Sequence, residues 1–253
     1  GDMTLAKKFI KSAKDNGAYY AKFQTWSTSR LKSGSWDLDG RRQIYEKAEL
    51  SKSDHLELIS YCKQQNINFL SSVFSIPDAE LLNEIGCDIV KIPSFESRNE
   101  DLIKYCNEHF STIILSGGTS TFEEIKRSIG LIDKSEIFLM HCVSVYPGSY
   151  NEANIPKMNK YKTICNNVGL SDHIEGVESS KIAIGEGAVI IEKHFTIDRS
   201  LPGRDNKFSI LPEQLKELSD FIKNRELMLK DHGPGFNIKE NDSRENYTGR
   251  FNG

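Results

Sequence analysis

Short apolar runs recur along the chain, and the longer segments between them carry apolar residues every three or four positions. The apolar runs predict seven strands, over 19–25, 68–72, 89–92, 112–116, 137–142, 168–171 and 189–192. These runs are apolar throughout rather than alternating with polar residues, which is typical of parallel strands buried on both faces. The pattern therefore predicts a parallel sheet whose strands alternate with helices.

The longer segments predict eight helices, over 4–16, 51–61, 77–85, 102–109, 121–132, 155–166, 177–185 and 211–229. Repeated strand–helix units favour right-handed crossovers, and α/β barrels of about this length form a single domain. We therefore predict an α/β fold, a (β/α)8 TIM barrel over residues 1–230, which lacks its first strand because the pattern opens on a helix. The polar residues 26–50 form an excursion at a strand end, and residues 231–253 form a polar, extended tail.

The composition is that of a globular protein, since 38% of the 253 residues are hydrophobic and 27% are charged. The formal net charge of −3 provides no basic field for nucleic acid or for an anionic membrane. No apolar run is long enough for a membrane helix, and the first residues show no signal-peptide core. The five cysteines include no CxxC pair, which favours free, buried thiols and a cytoplasmic location.

Polar residues stand at the end of every predicted strand, which is where a parallel barrel binds its ligand. They are Lys22, Gln24, Ser71, Ser72, Lys91, Ser94, Glu96, Ser116, Thr119, His141, Ser144, Tyr146, Ser171, Asp172, His173, Glu192, Lys193 and His194. Strand ends also meet water, so part of this polarity is expected in a barrel without a ligand.

Two lysines, Lys22 and Lys91, lie inside apolar runs, and Lys193 is a third candidate. A lysine in an apolar strand is costly to desolvate unless an anion lies beside it. The anion is either a phosphate or carboxylate ligand or the partner in a Lys–Glu pair with Glu96 or Glu192. A lysine that forms a Schiff base with a substrate is a third alternative.

Two histidines, His173 and His194, each follow a predicted strand, and these strands are consecutive. Their imidazoles are suited to a Mn²⁺ or Zn²⁺ ion that keeps open positions for water and substrate. His141 also ends a strand, and an interior histidine that only makes hydrogen bonds is the alternative for each of them. Charged residues flank a Pro-Gly turn over 198–206, which suits either a loop folded over the site or a solvated loop.

Six segments together resemble the sialic acid synthase family in their order and spacing. They are KFQT at 22–25, FLSSVF at 69–74, KIPSFE at 91–96, HCVSVYP at 141–147, GLSDH at 169–173 and EKHFTIDRSLPGRD at 192–205. The resemblance extends from Gly1 to about Leu229. Any one of these motifs is weak evidence, but six in the same order are specific.

The resemblance implies a (β/α)8 barrel that condenses phosphoenolpyruvate with an N-acylated amino sugar, such as N-acetylmannosamine, to a nonulosonic acid and phosphate. It implies a divalent ion at His173 and His194, Mn²⁺ in the first place and Mg²⁺ or Co²⁺ as alternatives. Glu96 and Lys91 join these histidines as implied catalytic residues. Phosphoenolpyruvate would contact Lys22, Ser72, Lys91, Ser94, Ser144 and Ser171. The amino sugar would contact Gln24, Glu96, Tyr146 and Asp205. No Schiff base is needed in this chemistry.

The chain departs from the family pattern at several positions. Ser72, Ser144 and Arg204 stand where the family often has Thr, Asn and Pro. The family begins with a strand that bears a Glu, and ends with an antifreeze-like domain that reaches across a homodimer; we expect neither within residues 1–253. We therefore expect weak or altered activity from these residues alone. The alternative is a truncated, non-catalytic barrel that binds an anionic sugar or a phosphate ligand.

Overall fold

A computed structural model describes residues 1–253, except for the side chain of Trp36. The strands are β1 (Tyr20–Thr25), β2 (Asn68–Val73), β3 (Ile89–Ile92), β4 (Thr112–Ser116), β5 (Glu136–Cys142), β6 (Asn167–Asp172) and β7 (Ile191–Lys193). Each strand pairs in parallel with the next one along the chain. All seven predicted strands and their parallel arrangement are therefore confirmed.

The helices are α1 (Met3–Asp15), α2 (Arg41–Ala48), α3 (Lys52–Gln64), α4 (Ile76–Glu84), α5 (Glu100–His109), α6 (Phe122–Ile129), α7 (Lys157–Tyr161), α8 (Glu178–Gly185), α9 (Pro212–Met228) and α10 (Asn241–Asn246). The eight predicted helices are all present. Helices α2 and α10 lie in the segments expected to be an excursion and an extended tail. No residue of either helix is buried, so neither helix needs the apolar stripe from which a helix is predicted.

Local capping explains where two of the helices begin. The Ser51 hydroxyl accepts a hydrogen bond from the Asp54 N–H, and the Asp54 carboxylate accepts one from the Ser51 N–H at 2.8 Å. Thr121 and Glu124 make the same reciprocal pair before α6. Each pair satisfies N–H groups at a helix start that would otherwise have no partner, and so fixes the end of the loop that precedes the helix.

The sheet curls until its first and last strands face each other. Lys22 on β1 and Glu192 on β7 approach to 2.8 Å, although these strands stand at opposite ends of the strand order. Among the described residues the order ends at β1 and β7 without a hydrogen-bonded strand between them. The observed fold is thus a seven-stranded, curled parallel sheet with helices, an α/β fold in which eight-stranded closure is not seen.

The hydrophobic core is divided between the two faces of the sheet. The larger cluster lies between the strands and the helices and includes Val90, Ile92, Leu115 and Leu139. A smaller cluster, centred on Leu70, Ile114 and Met140, fills the concave face towards the amino ends of the strands. The described part of the chain contains no helix that is long and apolar enough to cross a membrane.

Candidate active site at the carboxyl ends of the strands

The concave face of the sheet changes from apolar to polar along the strands. Side chains two residues apart in a strand share a face, so residues two positions beyond the small apolar cluster lie above it on the same face. They are Lys22, Ser72, Lys91, Ser116, Cys142 and Glu192, and Ser171 takes the equivalent position on β6, two residues beyond Gly169. The carboxyl ends of the strands therefore carry a polar layer over an apolar floor, as a ligand site in a curled parallel sheet requires.

A charged cluster of two lysines and one glutamate occupies this layer. Glu192 Oε2 lies 2.8 Å from Lys22 Nζ and 3.6 Å from Lys91 Nζ. Ser171 Oγ donates a hydrogen bond to Glu192 Oε1 at 2.8 Å, and Lys91 Nζ donates one to Ser116 Oγ at 2.6 Å. The predicted Lys–Glu pair is therefore confirmed with Glu192 rather than with Glu96.

Burial and the neighbouring charges shift the pKa values of this cluster. The Lys91 side chain is only 2% exposed, and burial lowers its pKa to about 8, helped by Lys22 and opposed by Glu192. Burial also opposes the ionisation of Glu192, but the two ammonium groups outweigh it and hold the pKa of that carboxyl well below its usual range. At neutral pH the cluster thus holds two positive charges against one negative charge. One positive charge remains for an anionic ligand.

The two predicted metal ligands face each other beside Tyr146. The rings of His173 and His194 have centroids 5.3 Å apart, and the Tyr146 ring lies 4.2 Å from that of His173. His173 Nδ1 donates to the Val143 carbonyl at 3.0 Å, so Nε2 is the nitrogen with a lone pair that could bind an ion. Burial lowers the pKa of His194 to about 4, although Asp205 acts in the opposite direction. His194 is therefore neutral at neutral pH.

The donor set of these histidines fits a divalent ion in part. A neutral imidazole offers the lone pair that Mn²⁺ or Zn²⁺ binds, and two such rings share one space. Within the described residues, however, no group of three or more His, Cys, Asp or Glu side chains could hold a metal. The chain itself thus offers two ligands, and the other positions of an ion would be filled by water or substrate atoms.

A loop after β7 covers His194. The Ile210 N–H donates to the His194 carbonyl at 2.8 Å and so folds residues 195–210 back onto the strand end. This brings the Phe208 ring to 5.5 Å from the His194 ring, and Asp205 Oδ2 to 3.6 Å from His194 Nδ1. The prediction of a loop folded over the site is consistent with these contacts.

Arg199 ties this loop to the start of α9. Its Nε donates to the Ser209 carbonyl at 3.1 Å, and its Nη2 donates to Gln214 Oε1 at 3.0 Å. Ser209 in turn donates both its N–H and its hydroxyl to the Asp205 carbonyl. The position of Asp205 beside His194 therefore depends on Arg199.

Two of the predicted substrate-binding serines meet above a glycine in the loop after β4. A Cβ atom on Gly118 would lie 2.6 Å from Ser94 Oγ and 2.7 Å from Ser144 Oγ. Cys142 Sγ continues this group, at 3.7 Å from both Ser144 Oγ and His173 Nδ1. Gly118 does not have a left-handed backbone, so the absence of a side chain serves the close approach of the hydroxyls.

Four polar residues considered from the sequence lie on the outer face instead. Lys193 and Asp172 pair with each other at 3.1 Å, so Lys193 is not a third lysine of the site. His141 Nε2 donates to a carbonyl in the loop after β5, and Ser71 bonds Thr25 Oγ1 at 2.7 Å. Each of them is adjacent in sequence to a residue of the concave face. Position at a strand end alone therefore cannot distinguish outer-face residues from site residues.

The remaining predicted residues lie at the margin of the site. Gln24 lies on β1 and is exposed. Its Cα is opposite that of the buried Ser72 on β2. Glu96 accepts a hydrogen bond from Asn99 Nδ2 at 2.8 Å within its own turn. The roles of Gln24 and Glu96 towards a sugar stay predictions. The sequence predicts Glu192 as a strand-end residue and a possible partner of a buried lysine but assigns it no contact with substrate, and its position two residues before His194 places both on one strand face.

The family model described as the NeuB family matches residues 9–233. The chain belongs to the NeuB family. This confirms the resemblance to sialic acid synthases and accounts for the order of the six motifs. The NeuB match also includes every residue of the charged cluster, both histidines and the loop that covers them.

Among the relatives of this NeuB family chain are nonulosonic acid synthases. It is 37% identical over 240 residues to the N,N'-diacetyllegionaminic acid synthase of Campylobacter jejuni, covering 88% of this chain and 72% of that one. It is 33% identical over 258 residues to the pseudaminic acid synthase of Helicobacter pylori, covering 96% and 76%. The crystal structure of the N-acetylneuraminic acid synthetase from Leptospira borgpetersenii, in complex with citrate, superposes with a TM-score of 0.88 at 30% identity. The superposition covers all of this chain and 88% of the Leptospira chain.

Proposed function

We propose that this chain is a nonulosonic acid synthase that condenses phosphoenolpyruvate with an N-acylated hexosamine and releases phosphate. The observation that carries the proposal is the charged cluster of Lys22, Lys91 and Glu192, which holds one excess positive charge at the polar end of the concave face. Two imidazoles face each other on the same face, in a chain whose relatives include synthases of this class. The non-catalytic alternative is not favoured by these relatives.

The lysines and serines would replace the hydration of phosphoenolpyruvate. Its phosphate and carboxylate carry more negative charge than the single excess positive charge of the cluster balances. Hydroxyl groups must therefore also donate hydrogen bonds to the anion. We assign this binding to a set of residues on the polar layer and the loops above it. The set is Lys22, Ser72, Lys91, Ser94, Ser144 and Ser171. Glu192 would then set the positions of both ammonium groups while keeping Ser171 in place.

The sugar would lie towards the opening, held by Gln24, Glu96, Tyr146 and Asp205. C3 of phosphoenolpyruvate forms the new bond to the aldehyde carbon of the open-chain sugar, whose oxygen takes up a proton. Water adds at C2, and the C2–O bond then breaks with loss of phosphate. Glu96 is assigned to orient the sugar or to transfer a proton. A divalent ion bound by His173 and His194, Mn²⁺ in the first place, would supply Lewis-acid polarisation of the aldehyde.

We further propose that the seven strands belong to a (β/α)8 barrel and that the enzyme works as a homodimer in the cytoplasm. The approach of β1 and β7 through Lys22 and Glu192 supports the barrel. All five cysteines are free thiols, four of them buried, which agrees with a reducing compartment.

The test is phosphate release from phosphoenolpyruvate with a panel of N-acylated hexosamines, with Mn²⁺ added or chelated. We expect release with at least one acceptor and loss of release after chelation. Lys91→Met should abolish release, whereas Lys52→Met, in an exposed pair with Glu84, should not change it. Binding of phosphoenolpyruvate without release, for every acceptor and metal, would instead support the non-catalytic barrel. Borohydride trapping of a substrate on Lys22 or Lys91 would support an aldolase.

A further inference from the structure

The last residues of β6 and β7 carry opposite charges on the outer face of the sheet. Asp172 and Lys193 are opposite each other in the strand register, and Asp172 Oδ2 lies 3.1 Å from Lys193 Nζ. We call this ion pair the strand-end pair. Each of its members directly precedes one of the two histidines of the site, His173 and His194. The pair therefore joins the two strands at the point from which both imidazoles extend.

The strand-end pair is buried and fully bonded. The side chains of Asp172 and Lys193 are 2% and 6% exposed. The carboxylate also accepts hydrogen bonds from the hydroxyls of Ser179 and Ser180 in α8, both at 2.6 Å. The desolvation of a buried ion pair is offset only where the geometry is good and further hydrogen bonds are made. These contacts hold the pair in one arrangement between the sheet and α8.

Both members of the strand-end pair also bind the backbone next to His173. The Ile174 N–H donates to Asp172 Oδ1 at 3.0 Å, and Lys193 Nζ donates to the Ile174 carbonyl. Through Lys193, β7 thus holds the residue that follows His173, and the next residue of β7 after Lys193 is His194. The separation of the two histidine backbones therefore depends on the strand-end pair.

We infer that Asp172 and Lys193 are positioning residues that set the distance between the imidazoles of His173 and His194, and with it the affinity for a divalent ion. Neither side chain would touch the ion. Among the described residues no third His, Cys, Asp or Glu completes a metal-binding group, so a shift of either ring has no compensating ligand. Groups that orient metal-binding histidines typically change metal affinity by about 10–100-fold when they are replaced. This inference rests on the metal assignment of the proposed function.

The experiment is a titration of the folded chain with Mn²⁺ in the absence of substrate, in which electron paramagnetic resonance reports the free ion. Lys193→Met and Asp172→Asn should each raise the Kd for Mn²⁺ by about tenfold. The matched control is Asp78→Asn. Asp78 is also a buried carboxylate that pairs with a cation, Arg30, and accepts hydrogen bonds from a serine hydroxyl and a backbone N–H. Its replacement should lower Tm without changing the Kd, because Asp78 does not adjoin either histidine.

A double variant, Asp172→Asn with Lys193→Met, separates positioning from support of the fold. It leaves no unpaired charge buried, so its Tm should lie closer to that of the wild type than the Tm of either single variant. Its Kd for Mn²⁺ should stay raised, because the contact between the strand ends is still missing. The inference is overturned if the Kd of the double variant returns to the wild-type value, if both single variants keep that value, or if Asp78→Asn raises the Kd equally.

His194→Ala distinguishes failure of this inference from failure of the proposed function. The substitution should abolish Mn²⁺ binding. Absence of binding to the wild type, or binding that survives this substitution, would overturn the metal assignment and the inference together. An unchanged Kd in the strand-end variants of a chain that binds Mn²⁺ through His194 would overturn the inference alone.

Discussion

Replacing Glu192 by Gln tests whether the charged cluster behaves as one buried network. The substitution keeps an acceptor for Ser171 and nearly the same shape, but it removes the negative charge that lies 2.8 Å from Lys22 Nζ and 3.6 Å from Lys91 Nζ. Two ammonium groups then remain together without a counter-ion. Any loss of stability therefore reports on charge rather than on packing.

The expected loss follows from burial. Breaking a buried ion pair by removing one partner costs about 3–5 kcal/mol, because the other charge stays buried. The Lys22 side chain is 25% exposed, so water replaces part of the interaction, and we expect about 2–4 kcal/mol. In a chain of this size that lowers Tm by about 5–15 °C. Glu57→Gln is the control, since its pair with Lys7 is exposed and contributes less than about 1 kcal/mol.

The assay is thermal and urea unfolding of wild type, E192Q and E57Q, each with and without inorganic phosphate. Phosphate should stabilise E192Q more than wild type, because the variant holds two positive charges without a carboxylate. A loss in E192Q no larger than that in E57Q, or equal stabilisation by phosphate, would refute the reasoning.

The same cluster makes stability depend on pH in a defined direction. Burial lowers the pKa of Lys91 from 10.5 to about 8. Between these values the unfolded chain binds more protons than the folded chain, so the contribution of Lys91 to stability rises with pH in this interval. In E192Q the lysine lacks its carboxylate neighbour, so the rise should begin below pH 8. Urea unfolding from neutral to alkaline pH measures the difference, and identical profiles for both proteins would contradict it.

Three further outcomes are expected. Gly118→Ala should lower kcat/KM by about tenfold, a loss of about 1.4 kcal/mol, by pushing apart the two serine hydroxyls above it. Its control is Gly185→Ala, whose added methyl meets no atom within 4 Å and should leave phosphate release unchanged. Burial raises the pKa of the Cys106 thiol to about 12, so iodoacetamide should modify it only after unfolding; rapid native labelling by mass spectrometry would contradict this. Arg199→Ala should raise the KM for the amino sugar about tenfold through Asp205, whereas equal changes for both substrates would indicate a general structural effect.

The positions of the strands could be predicted from local pattern because their burial is extreme. The bounds of Ile89–Ile92 and Thr112–Ser116 agree with the apolar runs, since a strand covered on both faces must be apolar along its length. Helix α2 was missed for the converse reason, because none of its residues is buried and its sequence needs no apolar stripe. The six motifs likewise identified the family without any knowledge of their contacts.

Which of the polar residues meet was decided by tertiary structure. Local alternation separates Glu192 from Lys193 onto opposite faces, but it does not say which face becomes concave. The curl of the sheet determines which face is concave. It brings Lys22 of the first strand to Glu192 of the last, while Lys193 points outward and pairs with Asp172. An ion pair between residues so distant in sequence depends on the packing of every strand and helix between them, and no local pattern encodes it.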